Sequence, residues 1–120
     1  MEFFLPQDNL DRVPPEETKI LSLQARPYED ARRVLVNIEM SPFEKRPHLE
    51  VTLRDAQGQE LSAASFIEPM NWNLEFTLHL RREPAQGELI LEARLFYPDG
   101  PAAEPVVARF ALPEVDSSIP

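Results

Sequence analysis

Between Trp72 and Tyr97 the chain alternates apolar and polar residues so regularly that only extended backbone can sort them. In WNLEFTLHL the even positions are apolar (Trp72, Leu74, Phe76, Leu78, Leu80), while Asn73, Glu75, Thr77, His79 and the following Arg81 are polar. Side chains repeat every two residues along a strand but every 3.6 around a helix, so the run separates into two faces only as a strand. Past Arg82–Gly87, the run GELILEARLFYP does the same, with Leu89, Leu91, Ala93, Leu95 and Tyr97 on one face. These two runs require a layered β core.

The rest of the chain is segmented by proline. Thirteen prolines stand against three glycines, and proline is confined to the ends and edges of strands because it lacks a backbone donor. The prolines fall between patterned runs and mark out seven short strands. The first is Lys19–Arg26, with Leu21 and Leu23 as its inward pair. Arg33–Met40 follows, turning Val34, Val36, Ile38 and Met40 inward, and then His48–Asp55, with Leu49, Val51 and Leu53 inward. DAQGQ is a hairpin connection in which Gly58 can take positive φ without steric cost. Leu61–Glu68 alternates weakly and reads as an edge strand. The Trp72 and Leu89 runs supply the fifth and sixth strands, and Val106–Leu112 the seventh. Residues 1–16 read as an N-terminal arm with an apolar tip at Phe3, Phe4 and Leu5, residues 17–113 as the domain, and residues 114–120 as a tail.

Seven strands spaced by turn signals, with a glycine-led alternating sixth strand in GELILEARLFYP, resemble the immunoglobulin-like and fibronectin-type-III-like β-sandwiches over about residues 17–113. The resemblance implies a single all-β, seven-stranded antiparallel sandwich whose fifth and sixth strands lie in opposite sheets, with Arg82–Gly87 crossing between them. A meander or barrel that pairs those two strands directly is the alternative. The resemblance is to a fold that hosts many functions, so it assigns no functional residues.

Chemistry is sparsely signalled. The chain has no cysteine and a net charge of −9, which rules out thiolate chemistry and sets a repulsive field against nucleic acid. His79 lies on a polar strand face and His48 beside a loop proline, and neither is placed in a nucleophile–base arrangement. No acidic run has the alternation of a calcium loop, no glycine-rich loop could cradle a phosphate, and nothing singles out a carboxylate pair for glycoside hydrolysis. Without a leader or an apolar run near 18 residues, the expectation is a cytoplasmic, non-enzymatic protein with no cofactor, no metal and no membrane attachment.

The functional expectation rests on loops. The resemblance puts the second–third, fourth–fifth and sixth–seventh connections at one end of the sandwich. These connections carry Phe43, Glu44, Lys45, Arg46, Met70 and Asp99, near Trp72 and Tyr97. An aromatic centre with a charged rim suits a protein partner, with Phe43 and Met70 expected as an exposed apolar pair. The uncharged, proline-free stretch Ser62–Phe66 leaves the fourth strand as the least guarded edge. A homodimer could form through that edge, or through the N-terminal arm docking on it. The expected role is a protein-interaction or assembly module. The rival is a small carbohydrate-active or hydrolase-like accessory domain.

Overall fold

The computed structural model describes residues 11–113. Among the described residues, a 3-10 turn at Pro15–Glu17 is followed by seven strands: β1 (Ile20–Pro27), β2 (Arg33–Met40), β3 (His48–Arg54), β4 (Glu60–Ile67), β5 (Asn73–His79), β6 (Leu89–Phe96) and β7 (Val106–Phe110). They form two antiparallel sheets, β1-β2-β5 and β4-β3-β6-β7, faced against one another as a β-sandwich. β5 and β6 therefore belong to different sheets, and residues 80–88 carry the chain across, which disposes of the direct hairpin. Among the described residues, no helix is long and apolar enough to cross a membrane.

Alternation dictates the core. Val34, Val36, Ile38 and Met40 from β2 meet Leu49, Val51 and Leu53 from β3 and Leu89, Leu91, Ala93 and Leu95 from β6, all buried. These three strands are internal to their sheets, so their inward side chains are covered on every side. The edge strands are covered less completely: Phe76 on β5 and Phe66 on β4 are half-buried, and their rings meet at a tilt with centres 4.7 Å apart, filling the lip between the sheets. β1 forms where expected and Leu23 packs against the core, but Leu21 does not. A register shift between Ile20 and Ser22 rotates Leu21 out of the core, where it is 52% exposed, and gives its place to Ile20. Such a bulge sets two residues against one on the partner strand and so breaks the period of two.

Pairing direction fixes the ends. Ile20, Met40 and Asn73 lie at one end of the first sheet, and His48, Ile67 and Phe96 lie at the same end of the second sheet. The connections 41–47, 68–72 and 97–105 are gathered there, and 28–32, 55–59 and 80–88 at the other.

Candidate functional site

At the loop end the residues expected to bind a partner divide into two layers. Phe43 is in the inner layer and only 4% exposed. The backbone N–H of Glu44 donates to the Val13 carbonyl, and the N–H of Val13 donates to that of Pro42. Between them these bonds pull residue 43 inward, where its ring meets Trp72 edge-on at 6.1 Å. The expected exposed Phe43–Met70 pair is thereby corrected: Phe43 closes the core, and a loop short enough to need that closure cannot also offer it to solvent. Phe3, Phe4 and Leu5 lie outside the described residues.

Tyr97 locks this layer. Its hydroxyl donates to the Lys45 carbonyl at 2.7 Å and lies 3.2 Å from the Thr18 hydroxyl, which itself donates to the Pro14 carbonyl. Burial pushes the phenol pKa up, against the opposing pull of the Thr18 contact. The Ser41 hydroxyl accepts from the Lys19 N–H, and the Ser41 N–H donates to the Lys19 carbonyl, fastening the start of the domain to the same loop.

Above this base stands the exposed layer: Glu44, Lys45, Arg46, Met70 and Asp99. Lys45 lies 5.9 Å from the Tyr97 ring centre. Among the described residues Lys45 and Arg46 take part in no ion pair; the five that form involve other side chains. Met70 is 78% exposed.

The register adds residues that sequence reasoning missed. His48 on β3 is directly opposite Ile67 on β4 and Phe96 on β6, which sets the three side chains in one row across the outer face at the loop end. The His48 and Phe96 rings are 5.6 Å apart, Arg94 lies 5.7 Å from the Phe96 ring centre, and Ile67 is 73% exposed. One row further in, Arg94 pairs with Glu50 at 3.3 Å. Apolar residues at outward strand positions were visible in the sequence, but their alignment into one row depends on strand pairing.

The other outer face differs. On β1-β2-β5, Ser22, Gln24, Asn37, Glu39, Asn73 and Glu75 line an open polar trough. Among the described residues, no group of three His, Asp or Glu side chains is placed to hold a metal ion.

The sequence matches no protein-family model and no curated protein. The fold is similar to part of the β-glucuronidase of Parabacteroides merdae, with a TM-score of 0.59 and 10% identity over 80% of this chain and 13% of that one. It is also similar to part of the Lactobacillus rhamnosus β-glucuronidase, with a TM-score of 0.56 and 14% identity over 81% of this chain and 16% of that one. The chain spans only a small part of those proteins. At such identities the likeness is one of fold.

Proposed function

We propose that the chain is a non-enzymatic protein-interaction module whose partner surface is the loop-end margin of the four-stranded sheet. The observation that carries this reading is the row Ile67–His48–Phe96, continued around the end by Met70, with Lys45 and Arg46 on the adjoining loop. Ile67 and Met70 are exposed while His48 and Phe96 are half-buried, and an apolar margin of this kind favours a covering partner. The base beneath them is held by the Tyr97 and Phe43 contacts, so little ordering would be needed on binding. The two cations without ion-pair partners suit acidic groups at the rim of that partner. The strand partition supports a sandwich of fibronectin type III kind, since β4 pairs with β3 and not with β5 as in constant-type immunoglobulin domains. Affinity capture with the folded chain, comparing wild type with Phe96→Ser, tests the reading. A protein held by the first and lost from the second is expected.

A second reading is favoured by the polar trough. Gln24, Asn37 and Asn73 offer amide donors and acceptors beside Glu39 and Glu75, groups that can hydrogen-bond sugar hydroxyls. The fold's likeness to parts of β-glucuronidases is compatible with an accessory domain of a carbohydrate-active protein. Calorimetric titration with glucuronides would detect saccharide binding, and Asn37→Ala should remove it. No heat of binding at millimolar saccharide would leave the protein-interaction reading alone.

A further inference from the structure

We propose that the chain pairs with a second copy of itself along β4, about a two-fold axis through Ser65. This rests on the interaction-module reading and names a partner for the strand edge beside the outer-face row, the two sharing Ile67.

The pairing follows from hydrogen-bond parity. The Glu68 N–H donates to the Pro47 carbonyl at 3.1 Å, so residues 47 and 68 face each other through their backbone groups. In an antiparallel ladder that orientation alternates. Phe66, Ala64 and Ser62 therefore turn their N–H and C=O groups toward β3, and Ile67, Ser65 and Ala63 turn theirs to the free edge. Leu61 points the same way, and its carbonyl accepts from the Arg81 N–H at 3.0 Å. Beyond that tie, Ala63, Ser65 and Ile67 have no backbone partner among the described residues, and all three are exposed. The edge ends at Glu68, whose positive φ of 52° turns the chain out of the strand.

What sits on this edge suits a copy of itself. Between Leu61 and Ile67 there is neither charge nor proline, the devices that usually guard an edge. In a chain of net charge −9, this is a line along which two copies can meet without setting like charges opposite each other. An axis through Ser65 aligns Ser65 with Ser65 of the second copy, and Ala63 with Ile67. With three outward N–H groups on each copy, this register makes six new backbone hydrogen bonds and merges two four-stranded sheets into one. A foreign peptide adding to an edge gains specificity from pockets for its alternate side chains, and Ala63 and Ser65 are too small to form them. β5 has a free edge too, but Glu75 lies on it, so that edge carries a charge where β4 carries none.

The test uses full-length chain and charge exchange at the axis. Sedimentation at several hundred micromolar should give a dimer for wild type. Ser65→Lys and Ser65→Glu should each give folded monomers, because either places two like charges opposite one another. An equimolar mixture of the two variants should restore a dimer. A wild-type monomer overturns the proposal, as does a dimer that persists in both single variants. Phe96→Ser, which lies off the edge, should leave the dimer intact. The same Ser65→Lys chain should still capture a partner held by the outer-face row, so failure of self-pairing and failure of the interaction reading are separable.

Discussion

The two ends of the sandwich are closed by different chemistry. At the far end the closing group is a carboxylate. Asp55 is only 1% exposed. Its Oδ1 accepts from the Gln57 and Gln59 N–H groups, and its Oδ2 accepts from the Gln59 side-chain amide and the Ala85 N–H. One side chain thereby ties the β3–β4 hairpin to the crossover between the sheets. Gly87, at φ +118°, lets the crossover approach Ala56, where an added Cβ would stand 3.0 Å away. Three ion pairs lie around it, Arg81 with Glu60, Arg33 with Asp30, and Arg32 loosely with Glu83, while Arg82 on the crossover takes part in none among the described residues. The loop end is closed instead by aromatic rings, and its cations Lys45 and Arg46 are left unpaired among the described residues beside exposed apolar side chains. The far end is thus tied by buried polar contacts, whereas the loop end is closed by rings and sets two cations beside exposed apolar side chains, which is where the proposed partner would dock.

If that contrast holds, the largest effect comes from the aromatic plug. Phe43→Ser should cost about 3–5 kcal/mol, the range for deleting a buried phenyl group, measured by urea unfolding. A change below about 1 kcal/mol would return Phe43 to the surface.

Asp55→Asn should come next, with an effect that depends on pH. The Ala85 N–H, followed by those of Gln59 and Gln57, holds the Asp55 carboxyl below the usual carboxylate range against the opposing effect of burial. A depressed folded-state pKa means that the carboxylate stabilises the fold above the unfolded value, and that this contribution is lost as pH falls through the folded one. Thermal melts should show wild type well above the variant at pH 7, with the gap closing below about pH 4. A gap independent of pH would mean that shape rather than charge matters there.

Tyr97→Phe should be milder, about 1–3 kcal/mol, because it leaves the Lys45 carbonyl short of its donor. The smallest effect belongs to the outer layer: Met70→Ser should change stability by no more than about 0.5 kcal/mol. A larger loss would show Met70 packed against the domain.

How much of this could be read from the chain depends on how far apart in sequence the causes lie. β2, β3 and β6 announced themselves and their inward faces, because internal strands bury one face fully and the period of two survives. Gly58 declared its turn and does take positive φ, at 86°. Ile20 and Leu21 were exchanged because a bulge leaves no local mark. Phe76 looked like a core residue by pattern, yet β5 is an edge strand and its ring is only half covered. The three loops were placed at the correct end, but Phe43 was expected outside, since the bonds that draw its loop inward come from Val13 and Tyr97. Asp55 looked like an ordinary hairpin residue, because its partner Ala85 is 30 positions away. The Ile67–His48–Phe96 row needs the pairing of three strands, which no single run of sequence states.

The central claim is that the loop-end margin of the four-stranded sheet binds a protein. Its most direct test is affinity capture from the native cell with three immobilised chains of matched thermal stability: wild type, Phe96→Ser, and Glu75→Gln on the opposite face. The account predicts a protein retained by wild type and by Glu75→Gln and lost with Phe96→Ser. The same proteins retained on all three, or none retained by wild type, would contradict it.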